Sequence, residues 1–338
     1  MLPWLLVRAV VVPVIVLTAP AGQRSPGRLI WMDGQWFRLI AIDFYDRPYI
    51  DGRWSEYPFF PLFPSLGGAL MKLGASPTLA LAGISWLAAL AAMAGAYRLA
   101  VRHLPSRAAP WAPWFIAVAP GALSMILGYA DSLYLAGLVW SLVLVEDRRW
   151  WTAGLLAAVA TSARPNGWVA PVAVFVAVLL ARAGWRAAVA VVAPSVAFFV
   201  GWCIYLNWAT GDPFVFWAAK EAWVETSLAA FLREPFAYPN WPSLFHLSFF
   251  VALAVPYVMR VRRQPPSWAV VVALGVIPSL LLGTVGMARY GILAFPLPLA
   301  AADVLTTKWR WPAVAALVVS GGALIVLGWM MNYRSWLP

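Results

Sequence analysis

The chain is 338 residues long, 63% hydrophobic and only 11% charged, with a net charge of +11 and a mean hydropathy of +0.78. An ordinary soluble domain carries about 25% charged residues, so a soluble globular enzyme, a disordered chain and a fibrous repeat are all excluded. At about 20 apolar residues per crossing there is room for on the order of ten to twelve membrane helices. The apolar runs are too long and too unalternated for an outer-membrane barrel. The lone cysteine, Cys203, permits no intrachain disulfide and tells nothing about redox compartment.

In chain order, apolar runs fall at 2–20, 78–97, 111–128, 132–145, 151–163, 168–181, 187–208, 244–259, 267–285, 290–303 and 312–331, which predicts an all-α polytopic membrane protein of about eleven transmembrane helices in a single domain over residues 1–338. The first run reads as a retained helix, with a cleaved signal peptide as the alternative, since Thr18-Ala19-Pro20-Ala21 gives a weak cleavage pattern. Segment 58–71 is short, carries three prolines near its start and ends at Lys72, so it is either a span or a re-entrant or interfacial helix.

Charge chooses between these. With 58–71 not spanning and the N-terminus cytoplasmic, the inner side receives Arg8 and the clusters Arg98–Arg107, Arg148–Arg149, Arg182–Arg186, Arg260–Arg263 and Lys308–Arg310. The net charge is then +10 inside and +1 outside, together the +11 of the chain. Letting 58–71 span would send the later clusters outside, against the positive-inside rule. No basic run exceeds three residues in five, so the positive charge reads as an orientation signal and no nucleic acid is expected as a partner.

This topology collects polar groups in the extracytoplasmic loops 21–77 and 209–243 and at neighbouring span ends. Residues 21–57 hold five of the 13 acidic residues, Asp33, Asp43, Asp46, Asp51 and Glu56. Met32, Trp36, Ile40 and Phe44 recur at helical spacing, so 28–45 is expected to lie on the membrane surface as an amphipathic helix. The other groups are Tyr129-Ala130-Asp131-Ser132, Arg164-Pro165-Asn166-Gly167, Lys220 with Glu221 and Glu225, and Arg289-Tyr290. A carboxylate among Trp and Phe beside lipid is a candidate general base. Arg or Lys at the same level suits a phosphate headgroup, because the guanidinium fork matches phosphate oxygens. Each has a plainer reading: helix caps for Asp33, Glu56 and Asp131, snorkelling for Arg164 and Arg289, an exposed ion pair for Lys220 and Glu221. His103 and His246 stand apart in sequence, and no cluster has metal-ligand spacing.

Five segments in order carry a resemblance: Trp31-Met32-Asp33-Gly34-Gln35-Trp36-Phe37; Glu56-Tyr57-Pro58-Phe59-Phe60-Pro61-Leu62-Phe63-Pro64; Tyr129-Ala130-Asp131-Ser132-Leu133-Tyr134; Ala163-Arg164-Pro165-Asn166-Gly167; and Met287-Ala288-Arg289-Tyr290 with Phe295-Pro296. The chain resembles the PIG-V-like (GPI mannosyltransferase II) family of the GT-C glycosyltransferase superfamily. Met32 departs from the Trp usual before the Asp, and Ile42-Asp43-Phe44-Tyr45 departs from the usual continuation. The resemblance implies a GT-C-like fold with juxtamembrane helices in the first outer loop. It also implies transfer of mannose or another hexose, with inversion, from a polyprenyl-phosphate sugar to an acceptor hydroxyl outside the cytoplasm. Asp33 becomes the catalytic base; Glu56, Asp131, Arg164, Asn166, Lys220, Arg289 and Tyr290 become substrate-binding residues. The acceptor is a lipid, glycan or protein, membrane lipids surround the chain, and a divalent cation stays open. Arg outnumbers Lys 21 to 3, pointing to a GC-rich bacterial genome and a plasma-membrane location. The rival reading is a transporter or flippase of a lipid-linked substrate, which calls for ionisable groups at mid-span.

Overall fold

The structure is a computed structural model that describes residues 1–222, 233, 241–277, 286–307 and 309–333. Glu225, Lys308 and the ends of the predicted run 267–285 and loop 209–243 lie in part outside the described residues. All regular structure among the described residues is helical.

Helix α1 (Leu2–Leu17) leads into a loop with α2 (Asp33–Asp43) and α3 (Leu62–Lys72). Then come α4 (Pro77–His103), the short α5 (Ala112–Ala117) and α6 (Leu123–Ile126), α7 (Asp131–Glu146), α8 (Trp150–Ala163), α9 (Val169–Leu180) and α10 (Trp185–Thr210). The rest is α11 (Val215–Glu221), α12 (Trp241–Arg260), α13 (Pro266–Val276), α14 (Met287–Leu293), α15 (Pro296–Leu305) and α16 (Trp311–Met330).

Among the described residues four helices, α4, α10, α12 and α16, are long and apolar enough to cross a membrane, and the number rises to six when each of two bent pairs counts as one span. The expected count of about eleven is not confirmed. Each predicted run does contain a helix, but α7 has 16 residues, about 24 Å, against a hydrocarbon core of about 30 Å. The bends are 66° between the α5 and α6 arms and 83° between α14 and α15. Pro120 and Pro296 start the second arm of each pair, where a missing N–H costs nothing, and Ala119 before Pro120 is extended, as a following proline favours.

Helix α7 is apolar on all sides and buried almost throughout, the pattern of a central helix. It packs against α4, α8 and α9. Alanines 88, 89, 92 and 96 of α4 and 153, 157 and 160 of α8 are buried, so these helices approach closely, as small residues allow where lipid supplies no hydrophobic drive. Trp140 of α7 donates its indole N–H to the Ala91 carbonyl at 2.8 Å.

The charges sort to two ends of the bundle much as the sequence predicts. At one end Arg102 pairs with Glu146 at 2.9 Å and with Asp147 at 2.6 Å. His103 is not isolated: it meets Glu146 at 2.7 Å. Arg260 reaches Asp303 at 2.9 Å. Arg8 is the exception. It is buried within α1, not placed among the end clusters, and donates to the Met125 carbonyl at 2.9 Å. The segment 58–71 does not cross the bundle: α3 packs against α2 and the first turns of α4, where Gly67 faces Leu81 and Gly68 faces Ala41. The expected surface helix over 28–45 is divided into a 3-10 turn, Pro26–Ile30, and α2.

Candidate active site

Four backbone interruptions and the short helix α11 bring the chemistry together. Asp33 opens α2 directly after Met32, whose φ of 56° lies in the left-handed region. A non-glycine residue held there costs on the order of 1–3 kcal/mol and persists only where its surroundings fix it. They do: the Gly128 N–H donates to the Leu29 carbonyl at 2.7 Å, and the Tyr129 hydroxyl donates to the Trp31 carbonyl at 3.3 Å. The same turn, 127–130, delivers Asp131 as the first residue of α7.

Arg164 ends α8 in an extended conformation because Pro165 follows it. The turn then folds back so tightly that a Cβ on Gly167 would lie 2.0 Å from the Ala160 carbonyl oxygen. Arg289 sits on α14, placed by the turn at 120–122: a Cβ on Gly121 would lie 2.2 Å from the Ala288 carbonyl oxygen. Lys220 comes from α11.

Asp131 is the hub. Its side chain is 0% exposed and binds two arginines, each 13% exposed. Arg289 donates through Nε to Oδ1 at 2.7 Å and through Nη2 to Oδ2 at 2.5 Å, a bidentate pair. Arg164 donates to Oδ1 as well. The third arm of Arg289, Nη1, reaches Asp33 Oδ2 at 3.0 Å, and Asp33 is 30% exposed. Arg289 lies 5.1 Å from the Tyr129 ring centroid and Arg164 lies 6.0 Å from that of Tyr290. Residues from four helices and distant parts of the chain thus form one ionic network.

Beside it lies a cavity of about 710 Å³, whose polar end holds Arg164, Asn166, Lys220, Glu221 and Tyr290. Its long wall is apolar: Pro171, Val172 and Phe175 of α9, Val192, Val196 and Phe199 of α10, and Leu274 of α13. Trp168, Val196, Phe214 and Trp217 among its lining residues are exposed, so the cavity opens to the surface between apolar side chains. Burial, first of all, holds the Lys220 ammonium below its ordinary value; Arg164 and Arg289 repel it further, while Tyr290 and Asp33 oppose the shift.

The structure therefore joins Asp33, Asp131, Arg164 and Arg289 directly, and places Asn166, Lys220 and Tyr290 around the adjoining cavity. Glu56 is not in this network. It is buried in an aromatic cluster, where burial and then its carboxylate raise the pKa of Tyr57. Asp131 and the arginines are neither plain caps nor snorkelling side chains, since their charged ends face one another. Tyr129 is the member that sequence reasoning quoted but left out of the site; it stands two residues before Asp131 in the same segment. Among the described residues no three His, Cys, Asp or Glu side chains come together to hold a metal ion.

No protein-family model and no curated protein sequence matches the chain. Solved structures do. The oligosaccharyltransferase of Archaeoglobus fulgidus in its apo form superposes with a TM-score of 0.55 at 15% identity, covering 99% of this chain and 56% of that one. The same enzyme tethered to an acceptor peptide with the NVT sequon gives 0.53 at 14% identity, covering 99% and 55%. The archaeal oligosaccharyltransferase AglB from that organism, in complex with an inhibitory peptide and a dolichol-phosphate, gives 0.52 at 14% identity, covering 99% and 56%. The chain spans about half the length of these proteins. At such identity the likeness establishes the fold alone, the one these structures share, and it extends over essentially the whole chain.

Proposed function

We propose that the protein is an integral membrane glycosyltransferase that moves a hexose, mannose by first choice, from a polyprenyl-phosphate sugar to an acceptor hydroxyl on the extracytoplasmic face. One observation carries this reading: an apolar cavity open to the surface has Arg164 and Lys220 in its lining, and Arg164 shares Asp131 with Arg289, which holds the Asp33 carboxylate. An isoprenoid chain needs an apolar wall that it can enter from the bilayer, and a phosphate needs fixed cations at the end of that wall. A fold shared with a protein bound to dolichol-phosphate supports the same donor class.

In this mechanism Asp33 is the base. It is the more exposed carboxylate of the pair, and only its Oδ2 is bound by Arg289. It takes the proton of the acceptor hydroxyl as the oxygen attacks the anomeric carbon, while the phosphate leaves with the bonding electrons. Arg164 and Lys220 stabilise the charge growing on that phosphate, an effect strengthened where water is excluded. Asp131 is saturated by two arginines and supplies no nucleophile, so a single displacement with inversion follows. The PIG-V-like motif order supports mannose as the sugar, and the charge asymmetry supports a plasma membrane with the N-terminus inside.

The transporter reading draws on buried ionisable residues within apolar helices, Arg8 of α1, His246 of α12 and Asp303 of α15, but Arg8 binds backbone carbonyls, Asp303 pairs with Arg260, and none of the three lines the cavity. Purified protein given labelled polyprenyl-phosphate mannose and envelope glycolipid extracts decides the matter. Transfer by wild type and its loss in Asp33→Asn support the proposal; labelled lipid crossing proteoliposomes without product overturns it.

A further inference from the structure

Buried backbone outside a helix survives only where other protein groups satisfy it. The turn 127–130, which carries Tyr129 and leads into Asp131, follows a helix of four residues whose last carbonyls have no partner within the helix. Three side chains from elsewhere supply the donors. Arg8 Nη2 donates to the Met125 carbonyl at 2.9 Å, and Trp86 Nε1 donates to the Ile126 carbonyl at 2.6 Å. Ser85 Oγ lies 3.4 Å from the Met125 carbonyl and 3.1 Å from Ser132 Oγ, the residue after Asp131.

Arg8 is the costly member of this set. It is 6% exposed, and no ion pair with a carboxylate accompanies it among the described residues. Its guanidinium lies 4.6 Å from the ring centroid of Trp4 and 5.8 Å from that of Trp86, so two aromatic faces offset part of the desolvation. A leucine in its place would pack α1 without burying a charge. The return for burying one is a fixed donor on the turn that sets Asp131.

We propose that Arg8 is a positioning residue for the active site: held between Trp4 and Trp86, it fixes the turn at 125–131 through the Met125 carbonyl and so sets Asp131, which orients Arg289, which in turn holds Asp33. Arg8 itself touches neither the cavity nor the ionic network. The role rests on reading that network as a transferase centre, and its test separates the two claims.

Arg8→Met keeps the apolar stem and removes the donors; Arg8→Lys restores one. In reconstituted full-length protein, kcat of Arg8→Met falls about 10- to 100-fold, the scale of an ångström-size misplacement, with donor KM unchanged and partial recovery in Arg8→Lys. Hydrogen exchange gives a readout independent of activity: the Gly128 amide, bonded to the Leu29 carbonyl, exchanges faster in Arg8→Met, while amides of α12 and α16 do not. Unchanged Gly128 exchange, or a loss of turnover matching only the loss of folded protein, overturns the proposal. Wild type without transfer but with Gly128 loosened in the variant overturns the transferase reading and leaves the positioning role standing. If Arg8→Met does not fold, Trp86→Phe, which removes the donor to Ile126 and shrinks one of the two rings beside Arg8, carries the same expectations.

Discussion

Asp131 holds two guanidinium groups with a carboxylate that water does not reach. Removing its charge leaves Arg164 buried without a counter-charge and Arg289 with Asp33 alone, which costs on the order of 3–5 kcal/mol. Asp131→Asn is therefore expected to lower thermal stability in detergent as well as turnover, whereas Asp33→Asn, at a partly exposed position, lowers turnover by about 10²–10⁴-fold with unfolding temperature nearly unchanged. Differential scanning fluorimetry beside initial rates separates the two residues. Lys220 gives a pH prediction. Its folded-state pKa is lowered chiefly by burial, so the folded protein releases this proton at a lower pH than the unfolded chain does. Where the unfolded chain binds more protons, stability rises with pH, here in the window just below the ordinary lysine value of 10.5. Donor affinity runs the opposite way, because the neutral amine no longer attracts phosphate. KM for the donor is expected to climb with pH in that window, and Lys220→Arg, whose guanidinium stays charged, to flatten the climb.

The site depends on how short elements end. Gly167 and Gly121 let two turns press against backbone carbonyls of α8 and α14, at distances a side chain would violate. Alanine at either position overpacks the contact by about 1–3 kcal/mol and displaces Arg164 or Arg289. Gly321 on α16 has nothing within 4 Å of its would-be Cβ, so Gly321→Ala leaves rate and stability intact. Comparing rates of the three variants tests whether close approach, not glycine as such, matters. The groove belongs to the same scale. Val192→Trp fills its apolar wall on α10 and is expected to raise KM for a long-chain donor more than for a short-chain one.

Across the whole molecule, ionic clusters lie at two ends of an apolar bundle, with Asp33, Asp131, Arg164 and Arg289 at one and Arg102, Glu146, Arg260 and Asp303 at the other. We propose that the second end, to which the excess of basic residues is assigned, faces the cytoplasm, as the positive-inside rule expects. In protein lacking Cys203, Asp51→Cys is expected to react with an impermeant maleimide on intact cells and Arg149→Cys only after permeabilisation; the reverse pattern would invert the topology.

Much of this was legible in residues taken alone. Scarce charge dictates a membrane bundle, because a chain with so few ionised groups cannot hydrate its own surface. The kinked stretch of prolines at 58–64 marks a helix that lies at one end, and the separate segments around Asp33, Asp131, Arg164 and Arg289 mark the site. Hydropathy did not reveal where the apolar runs break and bend, since it measures apolar length and not where a chain breaks. Nor could sequence separate Glu56 from the network or place Arg8 inside the bundle. Those outcomes depend on which carboxylate meets which guanidinium across as many as 256 residues of chain, and on which carbonyls lack partners. Burial pairs charges by geometry, and geometry exists only once the helices have packed.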